Sequence, residues 1–105
     1  MSNLSFLANY PEVRSAVLGS LSGAVYEVVN EPDGEAIAAL VGFTSTLLGD
    51  AGTTMGLGEL RRFHISGPEA SRLVTIVQSK ALSLSLVPNK SAAAVAKRLD
   101  ADLRR

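Results

Sequence analysis

The run Gly49-Asp50-Ala51-Gly52-Thr53-Thr54-Met55-Gly56-Leu57-Gly58 has the composition of a phosphate-binding loop, in which backbone amides cradle the anion, but not its pattern. A phosphate loop needs Gly-x-x-x-x-Gly-Lys-Ser/Thr at the start of a helix, and this run has no lysine and follows a helical segment. Gly56-Leu57-Gly58 lacks the third glycine of the dinucleotide fingerprint and precedes a strand instead of following one. The run therefore reads as a helix C-cap and loop. His64 is the sole histidine and sits beside Arg62 in a strand-like run, with no Ser, Cys or acid placed by motif to make it a general base. Glu31, Asp33 and Glu35 resemble a hard-cation site, although helix capping and solubility account for the same three acids. Arg61 and Arg62, with Arg72 further on, are the side chains suited to gripping a phosphate or a partner's carboxylate; guarding an edge strand is their plainer role. No catalytic residue, metal or cofactor is assigned.

These side chains belong to a chain of 105 residues, 47% hydrophobic and 19% charged, which fits one folded domain over 1–105. Ten basic against ten acidic residues give no field that would draw nucleic acid or anionic lipid. The absence of cysteine excludes disulfides, thiolate nucleophiles and zinc–thiolate sites. Met1-Ser2-Asn3-Leu4 lacks the basic start of a signal peptide, and no uninterrupted apolar run approaches the roughly 18 residues of a membrane span, so a cytoplasmic protein without membrane insertion is expected.

The elements that position the candidates follow from periodicity. A short helix capped by Ser2 ends at Pro11, with Leu4, Leu7 and Phe6 inward. Val13–Leu18 and Ala24–Val29 form a hairpin around Gly19 to Gly23. A helix runs from about Gly34 to Leu48, with Asp33 and Glu35 at its positive end. Ile37, Leu40, Val41, Leu47 and Leu48 make a stripe expected on the sheet, which points Ala39, Gly42, Phe43 and Thr46 outward. No charge interrupts the helix between Glu35 and Asp50, so its outer side is expected to be covered by another subunit. Strands Glu59–Ser66, Ser71–Gln78 and Ala81–Val87 follow, the last two joined through Ser79-Lys80. Leu82-Ser83-Leu84-Ser85-Leu86 sends leucines to one face and serines to the other, where a helix backbone can come close. A final helix carries Val95, Leu99 and Leu103, capped by Ser91 or Asn89 and followed by Arg104 and Arg105.

The order α-β-β-α-β-β-β-α makes an α+β fold, a five-stranded antiparallel sheet with helices on both faces. That order, the strand pair ending before Asp-Gly-Glu, the small-residue long helix and the strand Gly-x-Gly-Glu-Leu-Arg-Arg-Phe-His-Ile together resemble the roadblock family of dynein light-chain and bacterial GTPase-regulator proteins. The resemblance covers nearly the whole chain and is a pattern, since the family has no catalytic signature. It implies a profilin-like fold that pairs through the long helix and the following strand, with Ala39, Gly42, Phe43 and Thr46 as the helix contact and Leu60, Arg62 and His64 on the pairing strand. It also implies a non-enzymatic protein that binds a small Ras-like GTPase as activator, exchange factor or scaffold, the single-domain form being nearer the bacterial branch. A structural adaptor within larger complexes and a small-ligand sensor are the competing expectations. The short first helix and tight Ser79-Lys80 hairpin depart from the family's habit.

Overall fold

Period-two alternation and turn residues give five strands, and the two apolar periodic segments give helices: β1 (Val13–Ser20), β2 (Val25–Val29), α1 (Gly34–Thr54), β3 (Arg62–Ser66), β4 (Ser71–Val77), β5 (Lys80–Leu86) and α2 (Ala92–Leu103). This computed structural model describes residues 7, 10–87 and 92–103. The expected contributions of Ser2, Leu4, Phe6, Asn89, Ser91, Arg104 and Arg105, and the side chain of Leu103, lie outside the described residues. Leu7 and Tyr10, from the expected first helix, are buried.

The strands form one antiparallel sheet in the order β2-β1-β5-β4-β3, so β2 and β3 are its edges. Register places Phe63, Val74, Ser83, Val17 and Val28 in one row across all five strands, on the face that α1 covers. The opposite face gathers Leu73, Leu82, Leu84 and Leu86 with Ala16 under Val95 and Leu99 of α2. The alternation of β5 thus separates as its sequence requires, leucines towards α2 and Ser83 buried towards α1. The β4–β5 turn is Gln78-Ser79, one residue earlier than expected, with both residues at positive φ (50° and 65°) as the twist of a two-residue hairpin demands.

Two elements differ in extent from the sequence reading. α1 continues six residues past Leu48 to Thr54, and Glu59 to Arg61 are not strand. The glycine-rich run is therefore half helix. Within it Thr53 and Thr54 donate to the carbonyls of Gly49 and Asp50, both at 3.0 Å, which satisfies the hydroxyls against their own helix. The helix stops where Gly56 takes φ +77°, with the Gly56 amide donating to the Thr53 carbonyl and the Leu57 amide to the Gly52 carbonyl, a Schellman closure that a side chain at residue 56 would strain. At the other end Asp33 occupies the N-cap position, but its carboxylate makes no capping bond. By length and composition α1 is apolar enough to cross a bilayer, an 18-residue window reaching a mean hydropathy of 1.2. Counting only uninterrupted apolar runs misses this, because small and hydroxyl residues break the run.

α1 meets the sheet through a seam of small residues, Gly34, Ala38, Gly42 and Ser45 with Val41, all buried. The seam overturns the expected orientation. Gly42 faces inward: a Cβ there would lie 2.8 Å from the Leu21 carbonyl oxygen and 3.1 Å from the Gly23 nitrogen, in the β1–β2 turn. Its close contact is with its own chain's hairpin, not with a second subunit. Both neighbours are backbone and cannot swing aside. Gly42→Ala is thus expected to destabilise despite its better helix propensity, and Gly42→Leu by more, in the range of about 1–3 kcal/mol for overpacking. Urea denaturation at fixed protein concentration checks this; a Gly42→Leu protein as stable as the parent contradicts it.

On the other face, polar contacts fasten α2. The Tyr10 hydroxyl donates to the Asp102 carboxylate, Arg98 pairs with Glu12, and the Arg98 guanidinium lies 4.6 Å from the centre of the Tyr10 ring. Burial, and then the hydrogen bond to Asp102, push the Tyr10 phenol up to about 12. A proton held more tightly in the native state than in the unfolded chain contributes stability below pH 10 that is lost as pH rises from about 10 to about 12. Tyr10→Phe is expected to lose less stability than wild type between about pH 9 and about pH 11.5, measured by urea midpoints. Equal losses in the two proteins contradict it.

Candidate interaction surface

With small residues facing inward, the large apolar side chains of α1 have to project elsewhere on a helix of 3.6 residues per turn. Leu40, Phe43 and Leu47 are 62%, 69% and 58% exposed, and Leu48 and Met55 are exposed beside them. Of the stripe expected on the sheet, only Val41 is buried, with Ile37 partly so; Leu40, Leu47 and Leu48 face out. Of the expected outward set, Ala39, Phe43 and Thr46 are exposed and Gly42 is not. α1 carries Glu35 and Asp50 and no basic residue.

Next to this face lies a cleft of about 280 Å³ between α1 and β3. Ile37, Leu40 and Thr44 form one wall, Phe63 and Ile65 the other, with Val74 and Arg72 beneath. It exists because α1 lies across β1, β2 and β5 and leaves the β3 side of the sheet uncovered. β3 is an edge, so one side of its backbone has no strand partner among the described residues, and Ile65 on it is 56% exposed. An apolar helix face, an apolar cleft and an unpaired strand edge are contiguous here.

The charged candidates are dispersed, and most are occupied. Arg62 grips Asp100 of α2, with Nη2 to Oδ1 at 2.5 Å and Nη1 to Oδ2 at 3.3 Å, while its Nε donates to the Thr75 hydroxyl at 3.1 Å. It fastens the β3 edge to α2 on the face away from α1. Arg72 donates to the Ser83 hydroxyl at 2.6 Å and pairs with Glu31 at 3.7 Å, under α1. Arg61 alone of the three is exposed, and its guanidinium has no partner among the described residues. Leu60 precedes β3 and packs beside Gly49, within the C-terminal half of α1. His64 is exposed on the α2 side, opposite Leu73 in the register. The three acids around the start of α1 do not converge, since Glu31 turns in to Arg72 and accepts from Ser15 at 3.4 Å while Asp33 and Glu35, the latter in the first turn of α1, face solvent. No group of three or more His, Asp or Glu able to hold a metal occurs among the described residues.

Leu40, Leu47, Leu48 and Ile65 are thus the surface residues that sequence reasoning missed. Their signal was present as the small residues 34, 38, 42, 45 and 49, spaced three and four apart, which mark the side of a helix that approaches a neighbouring backbone.

No family model and no curated protein matches the sequence. The fold has clear counterparts among solved structures. A Roadblock/LC7 domain from Streptomyces avermitilis superposes with a TM-score of 0.75 at 26% identity, over 84% of this chain and 77% of that one. MglB from Myxococcus xanthus gives 0.77 at 20% identity, over 84% and 75%. The gliding protein MglB from Thermus thermophilus gives 0.70 at 16%, over 80% and 67%.

The placement of the arginines separates two roles. Arg62→Ala breaks a half-exposed ion pair and a hydroxyl contact, and is expected to cost about 1 kcal/mol after solvent screening. Arg61→Ala is expected to stay within about 0.5 kcal/mol of wild type. Urea unfolding of the two single variants decides it; equal losses would show that Arg62 does not fasten the edge.

Proposed function

Because the chain is built on the roadblock/LC7 fold, we propose that it acts by binding, as a homodimer that engages a Ras-like small GTPase and modulates its nucleotide cycle. The observation that carries this reading is the apolar outer surface of α1 between Glu35 and Asp50, lying beside the open β3 edge. A monomer would leave Leu40, Leu48 and Ile65 in water together, a patch of the kind that marks a protein interface. Pairing β3 with the β3 of a second copy satisfies the free edge and continues the sheet. The same operation is a twofold one, so the cleft of each copy meets the same surface of the other.

On this reading Leu40, Thr44 and Leu48 of α1 and Ile65 of β3 form the self-contact, with His64 on the pairing strand. Gly42, Leu60 and Arg62 support it from within their own chain instead of touching the partner. The whole chain acts as one domain in the cytoplasm. It works without metal or cofactor, by holding the GTPase's own catalytic groups in position. Supply of an arginine to the phosphate charge is the less favoured route, because Arg62 and Arg72 are already engaged and Arg61 alone is free to move.

A dimer is expected by sedimentation at tens of micromolar, and Leu40→Asp or Ile65→Asp should yield monomer by placing like charges face to face across the twofold axis. A wild-type monomer defeats the self-association reading. Binding should favour one nucleotide state of the GTPase by about tenfold or more, since only differential affinity can shift a switch. Equal affinity for both states supports a passive adaptor.

A further inference from the structure

We infer that His64 makes the self-contact along β3 sensitive to pH, because the geometry of the strand sets the imidazoles of two copies against each other on the twofold axis and the dimer loosens when they take up protons. The inference rests on the reading above that two copies pair through β3, and it concerns the register of that pairing. The Ile76 amide donates to the Arg61 carbonyl at 2.8 Å, and the Gly67 amide to the Ala70 carbonyl at 2.9 Å. Bonded pairs recur at every second residue of an antiparallel ladder, so Arg61, Phe63, Ile65 and Gly67 direct their backbone groups to the β4 side. The N–H and C=O groups of Arg62, His64 and Ser66 therefore point out from the open edge.

Two antiparallel copies of Arg62–Ser66 overlap along their whole length only when the axis passes through the middle residue, His64. In that register Arg62 faces Ser66 of the second copy, Phe63 faces Ile65, His64 faces His64, and every outward backbone group is paired. Moving the axis to Phe63 sets Ser66 against Leu60, outside the strand. Moving it to Ile65 sets Arg62 against Pro68, which has no amide to donate. Opposed residues of a bonded pair have Cα atoms about 5.5 Å apart and side chains on one face, so the two imidazoles meet on the α2 side of the joined sheet. The carboxylates of that side are already engaged. Arg62, two residues from His64 on the same face, is held by Asp100 of α2, while Glu12 pairs with Arg98 and Asp102 accepts from Tyr10. Lys97, exposed one turn before Asp100, adds positive charge only. On β4 His64 meets Leu73, flanked by Ser71 and Thr75, and no acid. Glu59, Arg61 and Glu69 lie beyond the ends of β3, and Arg72 is on the α1 face.

Imidazole is the side chain that changes charge between about pH 5 and about pH 8. Two neutral rings tolerate each other across the axis, whereas two imidazolium ions repel; the separated copies therefore bind protons more readily than the dimer, and acid shifts the balance towards monomer. The test is sedimentation of the full chain over a concentration series, at constant ionic strength, at about pH 7.5 and about pH 5.5. The dimer dissociation constant of the wild type should rise about fivefold or more at the lower pH. His64→Gln, a change at an exposed position, should remain dimeric and lose most of that rise, and His64→Lys should associate at the higher pH as weakly as the wild type does at the lower one. A wild-type dimer equally tight at both values, or tighter in acid, would overturn the inference and leave the dimer reading in place. A His64→Gln protein with the full wild-type response would also overturn it, by assigning the response to another group. Wild-type protein that is monomeric at both values at tens of micromolar would remove the dimer reading and the inference together.

Discussion

The close approach of α1 to the β1–β2 turn governs the outer form of this molecule. Gly42 lies against the Leu21 carbonyl, and Gly34 against Val28, with Ala38 between them facing Gly19. Small residues at three- and four-residue spacing let the helix backbone settle onto the sheet, which presents the equally small Ser83 and Gly19. A helix that close has no room for large side chains beneath it. Leu40, Phe43 and Leu47 are consequently displaced to the outside, and the apolar surface there is a direct result of the seam. Filling the seam and burying those side chains are mutually exclusive.

The core is distributed unequally as a result. The α2 face holds the large leucines, Leu73, Leu82, Leu84, Leu86 and Leu99, whereas the α1 face has a smaller cluster around Val41, Val74 and Ala81. One face of the sheet supplies most of the hydrophobic burial, and the other is partly assigned to surface. Ion pairs among the described residues follow the same division. Arg62 with Asp100, and Arg98 with Glu12, lie at the margins of the leucine face and fasten α2. Only Arg72 with Glu31 lies under α1.

Strand and helix placement was readable because periodicity and turn residues agree. The leucine–serine alternation of β5 assigns its faces unambiguously, and the glycines near β1 and β2 place their turn. Boundaries are less legible, because not every glycine is a stop: the helix runs through Gly49 and Gly52, where Thr53 and Thr54 bond back to its own carbonyls, and closes at Gly56. The direction of α1 is obscured in the sequence for a different reason. Large apolar residues ordinarily mark the buried side, but this helix is apolar all round, so hydrophobicity contains little directional information and residue size decides. The serine face of β5 already required a close helix backbone, and a close backbone requires Gly and Ala inward. The charged candidates could not be resolved in sequence, because pairing Arg62 with Asp100 spans 38 residues and two elements.

The two edges of the sheet differ in how open they are to another strand. On β2 the register with β1 shifts between Leu18 and Gly19, and Tyr26 is the extra residue, so that edge is locally bent. The Lys80 ammonium stands 5.3 Å from the Tyr26 ring, adding charge beside the same strand. A bulge and a lysine are two of the devices by which proteins keep an edge from being extended. β3 has neither: its register with β4 is regular over all five residues, and its one charged side chain, Arg62, is turned to Asp100 on the α2 face. The protected edge lies beside the turn that Gly42 touches, and the open one lies beside the cleft. Extension of the sheet is therefore directed to β3, the side where α1 leaves Leu40 and Ile65 exposed, and the backbone and the apolar surface favour the same face for association.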